Sequence, residues 1–373
     1  MSSIFRDKEK LSPYYIPERL PHRERELRLL RDALDESTSL SSPVHIQIVG
    51  DVGSGKTVTV LKFSRESSEE RRNLRFAYVN PRQHGTSRLL IFRTIARQVA
   101  PEAYSASLSP EELMQGILRR MAEVRARGVI IIDDVDYAIA RSKEPIIYSL
   151  TRLNEAMPGE AVPVLMVIFT ARSARFRELL DRSEVSSLGN RVIYFERYTR
   201  DQIVDILQRR VAEAFRPGTI EEKVVEYIAE ITSSYPINGD VRYAIDLLLN
   251  AGSLAEAQGS QRVTLEHVRK VVSYTSPSIT QEEIASLDRE LREVLLAVVR
   301  SLKESDEPYV SLDKIYDVYR SMGRNASLGE FIEMLQDLGD RGIIDIKGLT
   351  KIGISGAPVE NLEAFLENLI KRL

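Results

Sequence analysis

The sequence predicts a parallel α/β domain, then an all-helical segment, then a small C-terminal domain of three helices and a β-hairpin. Three observations carry this. Short β-rich runs alternate with helical patterns through the first two hundred residues, the βαβα order of a parallel sheet. Strand signals then stop between Thr199 and about Ser273. Beyond that, three apolar helical faces precede a pair of short strands.

Strands are expected at residues 44–49, 74–79, 129–133, 162–170 and 191–195. The first and third are apolar runs without clean alternation, as in a parallel sheet buried on both faces. The helical segments are 200–215, 220–233, 240–258 and 265–273, followed by a linker, TSPSIT, at 275–280. Next, Leu291, Val294, Leu295, Val298 and Leu302 form one helical face. Ile315, Val318, Tyr319 and Met322 form a second, and Leu328, Phe331, Ile332, Leu335 and Leu338 a third. A hairpin is expected from 343–346 and 352–354 around a tip, KGLTK, at 347–351. That order suggests a winged helix, closed by an amphipathic helix at 360–372. The expected domains are 1–198, 199–280 and 281–373.

Composition narrows the chemistry. The 373 residues suit two or three domains, and 43% apolar with 29% charged residues is ordinary for a globular chain. There is no cysteine, which excludes disulfides, cysteine zinc sites, iron–sulfur clusters and thiol catalysis. Four histidines leave little room for a histidine metal site. The apolar runs at 162–171 and 294–299 fall far short of the ~20 residues that span a bilayer. The polar opening MSSIFRDKEK lacks a signal-peptide core. The expectation is a cytoplasmic protein without a membrane partner. Its net charge is −3, with 40 Arg against 12 Lys. Arginine suits bidentate phosphate contacts, but genome composition also produces such a bias.

The strongest motif is GDVGSGKT at residues 50–57, which fits G-x-x-x-x-G-K-[ST] between a strand and a helix. Its glycines let backbone N–H groups curl around phosphate oxygens, and the following helix adds its positive end. Gly50, Val52, Gly53, Ser54, Gly55, Lys56, Thr57 and the following Val58 form the expected cradle. Lys56 reaches the β- and γ-phosphates, and the Thr57 hydroxyl ligates Mg²⁺. The partner carboxylate is found in VIIIDDVD at 129–136, where a buried strand delivers Asp133 at its C-terminal edge. Asp133 is expected to hold Mg²⁺ through water, and Asp134 to orient or activate the attacking water.

With the helical segment, these motifs make the chain resemble an AAA+ ATPase. Further segments resemble the archaeal origin-recognition family of replication initiators: YIPERLPHRERE (15–26), VNPRQH (79–84), SSLGNRVIYFERYTRDQIVDIL (186–207) and GDVRYAIDLLLNAG (239–252). The resemblance extends through the winged helix and suggests a divergent paralogue. It implies ATP/ADP with Mg²⁺ as cofactor, origin duplex DNA as ligand, and the replicative helicase and other initiator paralogues as partners. It places a γ-phosphate sensor on Thr170, where the family has Asn, and a lid arginine on Arg242. The family has Glu after the metal-binding Asp, and Asp134 is one methylene shorter. Slow ATP turnover, used as a switch, follows from both departures. Asp240 reads as an N-cap that puts Arg242 in the first helical turn, against the helix dipole. Neither Arg182 nor Arg191 is in clear register as the arginine reaching a neighbour's nucleotide.

For DNA, seven arginines and no acid lie between Arg71 and Pro101. The resemblance places a DNA-contacting helical insertion there, with Arg88 and Arg93 as its contacts. From Ile284 onward there are 12 basic and 16 acidic residues, and residues 327–341 carry four acids against one arginine. Winged-helix contacts are therefore expected at the edges: Arg320, Arg324 and Asn325 in the turn, Lys347 and Lys351 at the wing tip. The alternative is a P-loop signalling switch whose winged helix binds protein partners.

Overall fold

The structure is a computed structural model that describes residues 3–40, 42–104, 107–142, 144–275, 280–348 and 350–371. The chain forms two compact units, one of residues 16–198 and one joining the N-terminal fifteen residues to the chain from Thr199 onward.

The first unit is a five-stranded sheet of β1 (Val44–Gly50), β2 (Leu74–Val79), β3 (Arg127–Ile132), β4 (Val164–Ala171) and β5 (Val192–Phe195). The strand order is β2-β3-β4-β1-β5, and every neighbouring pair is parallel. All five expected strands are found, the second with its expected bounds and the others with an end shifted by at most two residues. Every residue of β4 is buried, as its central place demands. One face of the sheet packs Ile46, Ile48, Val129, Ile131, Met166 and Ile168 against the helices Glu24–Ser37 and Lys56–Glu70. The other packs Ile130, Ile132, Val167 and Phe169 against the helices Arg88–Val99 and Pro110–Glu123.

The register decides what meets at the carboxyl edge. Ile48 pairs with Thr170, and Ile132 with Phe169. The loop after β1 and Asp133 after β3 therefore lie on either side of the end of β4. Such a crevice beyond parallel strand ends is where open α/β sheets bind ligands.

In the second unit the four expected helices run Arg200–Ala214, Glu222–Ser233, Val241–Ala257 and Leu265–Thr275. Residues 3–15 pack on these helices, although the sequence reading placed them with the sheet. The Phe5 ring lies 4.5 Å from that of Phe215, and the Arg6 amide donates to Ala214 O at 2.8 Å. A Cβ on Gly252 would come within 2.5 Å of the Phe5 ring, so the helix needs glycine there.

The C-terminal part follows the winged-helix order. Helix Arg289–Ser305 leads to β6 (Tyr309–Ser311), helices Leu312–Ser321 and Leu328–Asp340, then β7 (Asp345–Lys347), β8 (Lys351–Gly353) and helix Val359–Lys371. The three strands form an antiparallel sheet in the order β6-β8-β7. β6 was not anticipated, because three residues are too few for a period-2 signal. The predicted linker falls mostly on residues 276–279, outside the described residues. Its last residue, Thr280, caps an unforeseen short helix, Gln281–Ser286, through a capping box with Glu283. The winged helix and the four preceding helices share one unit rather than separating at residue 280. Tyr227 donates its hydroxyl proton to Ile354 O at 3.0 Å, Arg269 donates to the same oxygen at 3.1 Å, and Lys223 pairs with Asp306 at 2.6 Å.

Among the described residues, no helix is long and apolar enough to cross a membrane.

Candidate functional site: a phosphate-binding loop and its carboxylates

The loop between β1 and helix Lys56–Glu70 is shaped by glycine. Gly55 sits at φ +90°, and a Cβ there would lie 2.6 Å from the Tyr198 hydroxyl oxygen. A Cβ on Gly50 would lie 2.4 Å from Phe195 O. Ser54 turns its hydroxyl onto Asp51 O at 2.8 Å. Lys56 begins the helix and folds its chain back into the loop, donating from Nζ to Gly50 O at 2.6 Å and Asp51 O at 2.8 Å. Burial pushes the Lys56 ammonium below its ordinary pKa, although Asp134, Asp133 and Asp136 pull the other way. A buried cation resting on neutral carbonyls lacks a direct counter-anion, and a phosphate in the loop would supply one. The loop therefore fits a polyphosphate.

Asp133 follows β3 and is almost fully buried, at 2% exposure. Four side-chain donors satisfy its oxygens there. Thr57 Oγ1 donates to Oδ2 at 2.9 Å, Tyr78 Oη to Oδ2 at 2.6 Å and Asn80 Nδ2 to Oδ2 at 3.4 Å, while the Thr170 hydroxyl donates to Oδ1. Thr57 and Asp133 are thus a hydroxyl and a carboxylate in direct contact, a hard-oxygen pair that suits Mg²⁺ completed by phosphate and water. No cluster of three or more His, Cys, Asp or Glu able to hold a metal occurs among the described residues.

Thr170 was expected to face a γ-phosphate. It is fully buried instead, and its hydroxyl is used on both sides, donating to Asp133 and accepting the Asp134 amide at 2.9 Å. Asp134 has left-handed backbone at φ 57°, a conformation that aspartate tolerates better than most residues. Its carboxylate accepts from Arg82 Nε at 3.0 Å, and the Arg82 guanidinium stacks 4.1 Å from the Tyr137 ring centre.

Sequence reasoning overlooked four residues here. Tyr78 lies near the end of β2, Asn80 directly follows the strand, and Arg82 is two residues further on. The fourth is Arg23, 4% exposed in the run HRERE. Its guanidinium donates to Ser54 O at 2.9 Å, His22 O at 2.7 Å and Glu196 O at 2.7 Å, and lies 3.9 Å from the Tyr198 ring centre. It straps the outer turn of the phosphate loop to the segment after β5. Burial pushes the Tyr198 hydroxyl up to about 12, so that ring stays neutral beneath the guanidinium.

The remaining predicted residues are scattered. Val52 is exposed and Val58 half-buried beside the loop. In the other unit, Asp240 caps helix Val241–Ala257 by accepting the amides of Arg242 and Tyr243, so Arg242 lies in the first turn as expected. Arg88 is held by Glu111 at 2.8 Å and Glu144 at 3.5 Å, and Arg93 lies half-buried on the same helix. Arg320, Asn325 and Lys351 are exposed. Arg324 pairs with the buried Glu293 at 2.8 Å. Lys347 and Lys351 are the last pair of β7 and β8, on either side of the turn that begins at Gly348, φ 62°. Lys347 turns inward to the Glu230 carboxylate and to Ser234 Oγ at 3.2 Å. Arg191 makes a two-pronged pair with Glu36, and Arg182 opens helix Arg182–Leu188.

Comparison with known proteins agrees with this geometry. Residues 40–180 match the model of an AAA domain, and residues 204–273 that of a Cdc6 AAA+ ATPase-type lid domain. An ORC1-type DNA replication protein of Desulfurococcus amylolyticus is 30% identical over 365 residues, 95% of this chain and 91% of that protein. The chain belongs to the ORC1-type DNA replication protein family. Among solved structures, this ORC1-type chain is similar to Cdc6p from Pyrobaculum aerophilum, with a TM-score of 0.83 and 29% identity over 99% of each chain. It is also similar to the Aeropyrum pernix ORC1 protein in complex with DNA, with a TM-score of 0.66 and 27% identity over 100% of this chain and 98% of that one. The ORC1-type chain thus has the fold class its sequence predicts, an AAA+ ATPase domain with a helical lid and a C-terminal winged helix.

Proposed function

We propose that the chain is a nucleotide-switched replication initiator, which binds origin duplex DNA and helps recruit the replicative helicase. The observation that carries this is the Thr57–Asp133 contact at the end of β4, beside the Lys56 loop, in a chain of the ORC1-type family. Mg²⁺ and ATP, when bound, supply the polarised γ-phosphoryl bond. The chain's own residues do the rest. The amides of residues 53–57 and the Lys56 ammonium bind and orient phosphate oxygens. Thr57 would ligate the metal with its hydroxyl, and Asp133 would hold it through water. Thr170 acts through Asp133 and the Asp134 amide, so it reads the site through that carboxylate rather than by touching phosphate. Arg242, at the start of its lid helix, is the proposed second cation for the γ-phosphate, and release of that tie on hydrolysis is the switch.

Slow turnover fits Asp134, which is short and held by Arg82. A carboxylate engaged by a guanidinium is less free to orient the attacking water. Arg82→Ala is expected to raise basal ATP turnover several-fold, measured as phosphate release. An Arg82→Ala/Asp134→Ala variant is expected to lose that gain.

For DNA, Arg88, Arg93, Arg320, Arg324, Asn325, Lys347 and Lys351 remain the proposed contacts. Arg320, Asn325 and Lys351 are the readiest by exposure, whereas Arg88, Arg324 and Lys347 must first leave acidic partners. Full-length protein is expected to bind random-sequence duplex with an affinity that falls steeply with salt, and Arg320→Ala/Lys351→Ala is expected to flatten the slope by about two phosphate contacts. A slope unchanged by that variant would remove the winged helix from the DNA contacts. One observation favours a protein partner instead. Glu330, Glu333 and Asp340 are exposed on helix Leu328–Asp340, and would repel phosphates in a major groove.

A further inference from the structure

Three residues outside the loop and strand motifs donate to the Asp133 carboxylate: Tyr78, Asn80 and Thr170. Tyr78 lies on the edge strand β2, and its hydroxyl makes the shortest of the three hydrogen bonds to Asp133 Oδ2, at 2.6 Å against 2.9 Å from Thr57 and 3.4 Å from Asn80. A carboxylate oxygen has two in-plane lone-pair directions, so three donors crowd it. The Asn80 bond is the longest of the three and is the one that a further donor at Oδ2 would displace.

The position of Tyr78 is itself fixed. As the outer strand, β2 has one side without a strand neighbour. At Tyr78 that side is completed by Gln98, whose side-chain amide accepts from Tyr78 N at 2.9 Å and donates to Tyr78 O at 2.9 Å. The glutamine stands in for a paired strand at this one residue. Gln98 belongs to helix Arg88–Val99, which also bears Arg88 and Arg93. A continuous set of hydrogen bonds therefore runs from that helix through Gln98 and Tyr78 to Asp133.

We infer that Tyr78 is a positioning residue for the metal-facing carboxylate, holding Asp133 in the orientation that receives Mg²⁺. The inference rests on the nucleotide-site reading above. The hydroxyl fixes Oδ2 from the β2 side, and Thr57 fixes it from the loop side. Without the hydroxyl the carboxylate rotates about its Cβ–Cγ bond, and its alignment with Thr57 is lost.

The test is Tyr78→Phe in the full chain, which keeps the ring and removes only the hydroxyl. A fluorescent ADP analogue is titrated across a Mg²⁺ series, and binding in excess chelator is measured alongside. The Mg²⁺ concentration giving half-maximal enhancement of nucleotide affinity is expected to rise about ten-fold, the scale of one hydrogen bond to a charged group. Metal-free nucleotide affinity is expected to stay within about two-fold, since the Lys56 loop is untouched. In an Asp133→Asn background, Tyr78→Phe is expected to add nothing to the Mg²⁺ midpoint. A lowered melting temperature with an unchanged Mg²⁺ midpoint would make Tyr78 a packing residue only and overturn the inference. So would an equal loss in the Asp133→Asn background. If the wild-type protein shows no Mg²⁺-dependent nucleotide binding, the nucleotide-site reading falls first and takes this inference with it.

Discussion

Lys56→Ala is expected to weaken nucleotide binding by on the order of a hundred-fold or more, while the protein stays folded. The ammonium is the only side-chain cation that the loop motif itself provides, and each hydrogen bond it gives to a phosphate oxygen is worth about 1.5–3 kcal/mol. Stability is expected to move little or to rise. Burial lowers the pKa of Lys56 from its ordinary 10.5, so the folded chain binds fewer protons than the unfolded chain between the two values. The cost of the buried charge is fully present below the lowered value, and it is relieved as pH rises from there towards 10.5. The alanine variant is expected to lose that rise in stability on the alkaline side. Calorimetric titration with ATP and melting curves at several pH values check both halves. A variant that binds ATP as tightly as the wild type would remove Lys56 from the site.

The second large effect is expected at Arg23. Arg23→Ala removes three hydrogen bonds to backbone carbonyls and a stacked guanidinium, leaving Ser54 O and Glu196 O without their donor. The expected loss is about 3 kcal/mol of stability, because unmet buried carbonyls cost about 1–3 kcal/mol each and entering water recovers part of that. Nucleotide affinity is expected to fall as well, since Ser54 lies in the turn whose amides face phosphate. Arg23→Lys keeps the charge but cannot span three carbonyls in a plane, so it is expected to recover less than half of the loss. Denaturant unfolding and nucleotide titration of both variants would show this. Wild-type stability in Arg23→Ala would mean that the strap holds nothing.

Arg23 also illustrates what the sequence conceals. In HRERE it reads as one of several solvated charges, and only the turn that closes the phosphate loop over it reveals its burial. The arginines from 71 to 97 err the other way. No acid lies among them in sequence, which suggests an open basic face. In the fold, Arg71 reaches Asp35, Arg82 reaches Asp134, and Arg88 reaches Glu111. Pairing across elements cannot be read from local charge. The loop, its lysine and Asp133 were legible because their spacing and their place between strand and helix are dictated by backbone geometry. The same holds for the buried strands, whose apolar runs follow from burial on two faces. Tyr78 was not legible, since a tyrosine in a strand reads equally well as packing. The wing misled for a similar reason. Two lysines around a glycine suggest a charged tip, yet Lys347 is drawn to Glu230 on a helix far away in sequence, and that pull depends on the tertiary fold.

The central claim is that nucleotide state governs DNA binding. The most direct measurement is the affinity of the full-length protein for a fluorescent duplex at one fixed salt concentration, with ATP and Mg²⁺, with ADP and Mg²⁺, and with Lys56→Ala as the uncoupled reference. The account predicts different affinities for the two nucleotide states of the wild type and a single, nucleotide-independent affinity for Lys56→Ala. Equal affinities in all three cases would contradict it.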